Sequence, residues 1–261
     1  MKLLPSDKIT SQLKSSFCKA GVIAGLLLAS TVTAQAANWN SSNVQVLNGS
    51  GHELGDNKRT IFTYENALGW NYGDSFFFVD VTEPLNTGTT YYGEFSPRFS
   101  LSKITGSDMS YGVIKDIMIA TTLEMGEGVR GTLIGIGLPL NLSGFAFANA
   151  NLYLRDSERD FISNQTDTGF QLTLTWKKPF NIGTTNWSFE GFFDYAFGED
   201  GGDAPKEDNI VAAPRLLMDV GALWGQKDTV EAGIEYQIWR NKFGIDGINE
   251  DAVQFMVKWI F

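Results

Sequence analysis

The chain has one cysteine, Cys18, and one histidine, His52, and each scarcity removes a class of chemistry. Cys18 falls before Ala36, so a chain cut there holds no disulfide, thiolate metal site or cysteine nucleophile. Hydrolytic barrels of the lipase or protease kind need a histidine beside a serine or acids. His52 lies in the glycine-bearing stretch Gly49 to Lys58 with no strand-anchored partner in evident reach, and is expected to be solvated. No catalytic residue, cofactor or metal ligand is therefore assigned. Long apolar runs are missing too. The run from Ala20 to Val32 is too short for a helix that spans a bilayer, which needs roughly 20 apolar residues, and nothing later comes near it. Positive charge is also scarce. Beyond residue 36 the chain carries 16 basic and 29 acidic residues, a net charge of −13, which argues against nucleic acid as a partner.

The amino-terminal stretch is organised differently from the rest. Lys2, Lys8, Lys14 and Lys19 precede the apolar run, and Ala34-Gln35-Ala36 follows it, the pattern of a cleaved secretory signal. Cys18 stands ahead of the run and not at its end, which disfavours a lipid anchor. The domain reading is thus a signal over residues 1–36 and one domain over 37–261, uninterrupted by a proline- or serine-rich linker.

Period two dominates that domain. In Ala252 to Phe261, Val253, Phe255, Val257, Trp259 and Phe261 point one way and Ala252, Gln254, Met256, Lys258 and Ile260 the other. About 9 to 11 tilted residues cross the hydrocarbon layer as a strand. This one resembles the closing strand of bacterial outer-membrane barrels, whose aromatic end at Phe261 the barrel assembly machinery recognises. Eleven more segments alternate in the same way: Asn43 to Asn48, Arg59 to Gly69, Asp74 to Glu83, Tyr91 to Lys103, Val113 to Glu124, Thr132 to Asn141, Phe145 to Arg155, Thr168 to Lys177, Trp187 to Phe197, Val211 to Trp224 and Thr229 to Arg240. The fold class is all-β, a transmembrane antiparallel up-and-down β-barrel of about twelve strands with a narrow lumen, ten or fourteen strands staying open as counts. An even number puts both termini in the periplasm. Charged or glycine-rich outer loops are then expected at Gly49 to Lys58, Pro84 to Thr90, Met125 to Gly131, Asp156 to Asp167, Gly198 to Asn209 and Asn241 to Glu250, with shorter turns opposite.

One face of these strands is apolar: Phe95, Phe99 and Leu101; Ile117, Ile119 and Leu123; Phe170, Leu172, Leu174 and Trp176; Trp187, Phe189, Phe193, Tyr195 and Phe197. These are expected to face lipid, with Trp176, Trp187, Trp224 and Trp259 in interfacial girdles. The opposite faces carry Glu65, Asp80, Glu94, Arg98, Asp116, Glu124, Asn149, Asn151, Tyr153, Arg155, Glu190, Asp194, Asp219, Glu231, Glu235 and Gln237. A charge costs about 2 to 4 kcal/mol in the hydrocarbon midplane, so these groups need water or one another. Two aromatic pairs share the inward face: Phe76 and Phe78 beside Asp80, and Phe145 and Phe147 beside Asn149 and Asn151. Rings next to amides and carboxylates suit a nucleoside, offering a π-face to the base and donors and acceptors to the sugar. Simple packing of these rings is the alternative reading. Paired acids such as Glu94 and Asp116 are explained by lumen electrostatics without acid–base catalysis.

Acidic clusters at Glu199-Asp200-Gly201-Gly202-Asp203, Glu207-Asp208 and Asp246, Glu250, Asp251 do not match the spacing of a calcium loop. They read as solvated loops that divalent ions can bridge to lipopolysaccharide phosphates.

The stretch from Pro97-Arg98-Phe99-Ser100 through Asp108-Met109-Ser110-Tyr111-Gly112 to Lys115-Asp116 resembles the PRFS…LT..DLSFGP.KE segment of the Tsx-like nucleoside-specific channels, including the OmpK-type outer-membrane proteins. Ala120-Thr121-Thr122-Leu123-Glu124, Lys178-Pro179-Phe180 and Gly191-Phe192-Phe193-Asp194-Tyr195-Ala196-Phe197-Gly198 echo the same family. Val113 and Ile114 depart from it, standing where the family has a proline and an aromatic. The resemblance implies a twelve-stranded monomeric barrel in the outer membrane of a Gram-negative bacterium, passing nucleosides and offering phages and colicins a surface. Arg98 is the motif residue that points inward with Glu94, either to hold strands or a periplasmic turn or to touch solute. The competing reading is a general small-solute pore, or a receptor barrel whose lumen is closed by salt bridges among Arg98, Arg155, Glu94 and Asp116.

Overall fold

A computed structural model describes residues 37–83, 88–160, 168–199 and 206–261. The signal reading for residues 1–36 lies outside these, as do parts of three expected outer loops at 84–87, 161–167 and 200–205. The strands are β1 (Trp39–Ser50), β2 (Lys58–Trp70), β3 (Gly73–Thr82), β4 (Thr90–Ser100), β5 (Met118–Gly126), β6 (Val129–Pro139), β7 (Phe147–Arg159), β8 (Gly169–Ile182), β9 (Thr185–Phe197), β10 (Asn209–Ala212), β11 (Arg215–Asp219), β12 (Val230–Arg240) and β13 (Glu250–Ile260). Antiparallel pairing runs around the sheet, and β1 closes it on β13 through Asn43↔Ile260 to Ser50↔Val253. Both β10 and β11 lie between β9 and β12 in one register, Ala212↔Ile238 continuing as Arg215↔Glu235. They are two halves of one strand, so the closed barrel has twelve.

Proline causes that interruption. Pro214 has no N–H to give the ladder, while its carbonyl still accepts from the Tyr236 amide of β12 at 3.0 Å and the Ala213 amide donates to Phe192 of β9 at 3.1 Å. Gly191, opposite it, has φ 152°, and a Cβ there would run into the Ala213 carbonyl oxygen. Pro97 makes a similar gap between β4 and β5, where the Thr121 hydroxyl donates to the Pro97 carbonyl at 2.9 Å.

All twelve expected strands form, and the errors lie at their ends. The segment expected as Tyr91 to Lys103 stops at Ser100, whose side chain caps the short helix α1 (Leu101–Thr105) by accepting from the Lys103 amide at 3.0 Å. Gly106 ends that helix at φ 72°. The next strand begins at Met118 rather than Val113, so Leu101 and Ile117 do not sit on the lipid-facing strands. Trp224 closes a 3-10 turn (Gly221–Trp224). The expected contrast in loop length fails in two places. The end that carries both termini holds the long 101–117 connection, and at the far end β5 and β6 are joined across residues 127–128.

The apolar face is outward. Phe95, Phe99, Ile119, Leu123, Phe170 and Phe189 are all exposed, as are Val253, Phe255, Val257 and Trp259 of β13. Aromatic rings gather toward both rims. Trp70 meets Phe99, and Trp259 meets Phe261, near the terminal end, while Tyr195, Phe197 and Phe170 stack near the far end. Such bands belong at the two membrane interfaces. Inside, two small packed patches replace a common core: Leu47, Ile61, Leu217 and Met256, and across from them Ala120, Leu133 and Tyr153. The closed ladder, which satisfies the backbone without water, carries the architecture.

Candidate functional site

Cross-strand register fixes which side chains share the lumen. Phe76 faces Ser96, Phe78 faces Glu94, Asp80 faces Tyr92 and Asp74 faces Arg98 across β3 and β4. The Thr122 hydroxyl of β5 reaches the inward Ser96 hydroxyl at 3.0 Å, which sets this face inside. Phe76, Phe78 and Tyr92 thus form an aromatic row, with centroids 6.0 Å and 5.9 Å apart. Phe76 is 39% exposed although it points inward, so water reaches its ring within the barrel.

Three carboxylates accompany the aromatics without a cation. Asp80 accepts from the Thr63 hydroxyl at 2.5 Å, Glu94 from the Tyr92 hydroxyl at 2.8 Å, and Asp194 from the Thr173 hydroxyl at 2.5 Å. Among the described residues no basic side chain forms an ion pair with any of them. Glu94 stands directly opposite Glu124 in the register and feels Asp194 of β9 electrostatically. Phe192, opposite Thr175, joins Asp194 on the inner face of β9, so both walls carry a ring and an unpaired acid.

Elsewhere charges compensate one another. Arg98 grips Asp74 through two bonds of 2.7 and 2.8 Å, with Asn151 at 3.5 Å. Arg155 grips Glu124 at 2.5 and 2.6 Å and donates to Gln171 at 2.6 Å. The inward glycine Gly131 leaves room for that pair, because a Cβ there would collide with the Glu124 carboxylate. Toward the terminal end Lys177 and Lys258 alternate with Glu190 and Glu231 in a four-membered ring: Lys177 lies 2.9 Å from Glu190 and 3.0 Å from Glu231, Lys258 lies 2.9 Å from Glu231, and Lys258 also bonds Glu190. Above it Arg215 bridges Glu235 of β12 at 2.6 Å and Glu65 of β2 at 3.1 Å.

Several expected residues fall elsewhere. Asp116 does not line the lumen. It lies in the connection after α1 and accepts from the Ser100 and Ser102 hydroxyls and the Ser102 and Ile117 amides. Partial burial raises its pKa, but those hydrogen bonds outweigh burial and hold the carboxyl below its usual range. Asp219 points inward yet turns to the periplasmic-type turn that follows it, accepting from the Ala222 and Asp228 amides at 3.1 and 3.2 Å. Phe145 is in the β6–β7 connection with the Lys178 ammonium 5.4 Å above its ring, outside the lumen. Phe147 opposes Lys177 at the first residue of β7 and is 44% exposed at the rim, away from the row on β3. Asn149 donates to the Thr175 hydroxyl across β7 and β8 at 3.0 Å. Asn151 and Tyr153 are buried beside Arg98 and Ala120. The four groups of the competing closed-lumen reading do not assemble: Arg98 takes Asp74, Arg155 takes Glu124, Glu94 takes Tyr92, and Asp116 is at the terminal end.

His52 is buried where a solvated loop residue was expected. It is 2% exposed, and its Nδ1 lies 3.5 Å from Glu250, the first residue of β13. Glu250 was expected in a solvated acidic loop, but it is fully buried, accepting also from Lys242 at 2.5 Å, Gln237 at 2.7 Å and the Glu53 amide at 2.8 Å. Sequence reading missed these because loops fold inward here: the Glu207 amide donates to the Gly244 carbonyl at 3.0 Å, and Arg159 reaches the Phe243 carbonyl. Tyr92, Phe192, Arg215, Lys177 and Lys258 are the lumen residues it did not single out. Strand alternation places every one of them on the inner face.

A closed twelve-stranded barrel, apolar outside, banded with aromatics at both rims and polar within, is a porin-like β-barrel of the Gram-negative outer membrane. The chain belongs to the family described as "Nucleoside-specific channel-forming protein, Tsx", whose model matches residues 34–258. Among its relatives, outer membrane protein OmpK of Vibrio parahaemolyticus is 27% identical over 161 residues, covering 60% of this chain and 57% of that protein. The nucleoside-specific channel-forming protein Tsx of Salmonella typhimurium is 26% identical over 238 residues, covering 75% of this chain and 79% of that protein. The chain thus spans just over half the length of the OmpK relatives it matches. Of solved structures, a KdgM porin in complex with disordered oligogalacturonate superposes with a TM-score of 0.49 at 10% identity, covering 85% of this chain and 99% of that one.

Proposed function

We propose that this barrel is a channel for the passive, selective diffusion of nucleosides. The observation that carries the reading is the row Phe76, Phe78 and Tyr92 on the lumen wall, open to water at Phe76 and flanked by Asp80 and Glu94, which form no ion pair among the described residues. A base can stack on these rings while ribose hydroxyls donate to the free carboxylate oxygens. Contacts of this kind are strong enough for entry and weak enough for release when several are spread along the path. Membership in a family of nucleoside-specific channel-forming proteins supports the reading. The barrel has no catalytic part in it. The same reading has residues 1–36 removed on export, the β13 end at Phe261 presented to the assembly machinery, a monomeric barrel held among lipid and lipopolysaccharide, and outer loops available to phage. The mass of the mature chain and its sedimentation in detergent test the first and the monomer.

The function is tested in planar bilayers. Nucleosides added at micromolar to millimolar concentration should block the conductance, and Phe76→Ala with Phe78→Ala should relieve the block. A conductance indifferent to nucleosides would leave a general small-solute pore, and no conductance would leave a receptor barrel.

A further inference from the structure

Arg215 holds two acids and still has a guanidinium nitrogen left over. Its Nε bonds Glu235 at 2.6 Å and its Nη1 bonds Glu65 at 3.1 Å, so the guanidinium is fixed from two strands that have β13 and β1 between them. Each anchor is itself held, Glu235 by the buried Gln254 amide at 2.9 Å and Glu65 by the Asn43 amide at 3.1 Å. Nη2 has no hydrogen-bond partner among the described residues, and 15% of the side chain remains open. The position of that free edge follows from register. Glu65 faces Phe78 directly across β2 and β3, and Asp80 lies within electrostatic reach of Arg215. Directly opposed side chains on one face stand about 5 Å apart at Cβ. The guanidinium thereby shares a level of the lumen with the Phe78 ring and the Asp80 carboxylate.

We infer that Arg215 is a specificity-determining residue of the lumen, donating from Nη2 to a carbonyl oxygen on the ring that stacks against Phe78. The inference rests on the nucleoside reading above and narrows it to bases that carry an exocyclic carbonyl. Arginine suits the task because it never loses its proton and its fork holds a fixed plane. Because Glu235 holds Nε and Glu65 holds Nη1, the guanidinium does not swing to meet solute, and the hydrogen bond is made without reordering the side chain.

The test is nucleoside block of single-channel conductance by uridine and cytidine, which have a base carbonyl, against adenosine, which has none. Arg215→Lys keeps the charge and loses the planar fork. It should raise the half-blocking concentration of uridine and cytidine roughly tenfold, the worth of one charge-assisted hydrogen bond, and leave adenosine within about twofold. Glu65→Gln, which loosens the guanidinium without removing it, should give a smaller shift of the same selectivity and serves as the second variant if Arg215→Lys loses heat-modifiable migration on gels. Equal loss for all three nucleosides would reduce Arg215 to a strut and overturn the inference, as would no change for any. A wild-type pore blocked by none of them would instead overturn the nucleoside reading, and the inference with it.

Discussion

Two regions of the lumen treat charge in opposite ways, although Asp194 of β9 has a hydroxyl partner and Arg98 holds Asp74 across β3 and β4. On the side built from β8 through β13 and on to β2, every inward cation meets two acids: Lys177 and Lys258 share Glu190 and Glu231, and Arg215 holds Glu235 and Glu65. On β3 and β4, Asp80 and Glu94 have hydroxyl partners alone, beside rings that water reaches. Charges that pair within the wall hold it, with Nη2 of Arg215 left over from its two ion pairs. Charges left unpaired beside exposed aromatics are free to bind what passes, so the compensated side should govern stability and the uncompensated side solute.

Breaking the compensated side should have the largest effect. Lys258→Met leaves Glu190 and Glu231 nine-tenths buried with Lys177 as their shared cation, and losing one partner of a buried pair costs about 3 to 5 kcal/mol. The urea midpoint of unfolding from detergent should fall accordingly, while nucleoside block of the surviving pores stays within about twofold. A barrel as stable as the parent would remove the distinction between the two sides.

Phe78→Ala probes the other side. Stacking of one base is worth about 1 to 3 kcal/mol, so the half-blocking concentration should rise roughly five- to hundredfold with the unfolding midpoint nearly unchanged. If stability falls and block does not, Phe78 is packing. Asp80→Asn sharpens the contrast at smaller scale: it keeps the Thr63 hydrogen bond, removes an uncompensated charge, and should weaken solute block by about 1 kcal/mol without lowering the unfolding midpoint. Measuring both quantities on one preparation separates the roles.

The smallest effect belongs to neither wall. Asp116, whose carboxyl is held below its usual range by hydrogen bonds that outweigh its burial, ties the connection after α1 to Ser100 and Ser102. A depressed folded pKa contributes stability that is present above the unfolded carboxylate value near 3.8 and is lost as pH falls through the folded value. Amide exchange at Ser102 and Ile117 should therefore stay slow at pH 5 and quicken below about pH 4. Asp116→Asn should make exchange at both sites fast at every pH, and unchanged exchange in that variant would show that the serines order the connection without it.

What the sequence by itself determined was the alternation. A period of two over about ten residues dictates which side chains meet lipid, and an edge in hydrocarbon must be paired, so a closed barrel of about twelve strands and the inward placement of Phe76, Phe78, Asp80, Glu94 and Asp194 were legible in the alternation. The ends were not. Ser100 could continue a strand or cap a helix, and it caps because Asp116, sixteen residues on, returns to accept from it. Tertiary structure alone decided which inward charges pair, since Arg215 and Glu65 are 150 residues apart and Lys258 and Glu190 are 68 apart. Alternation assigns a face, but ion pairing depends on the height at which strands cross and on the reach of two side chains, and both are set when the barrel closes. His52 shows the same limit, being a loop residue by local pattern and a buried partner of Glu250 once β1 lies beside β13.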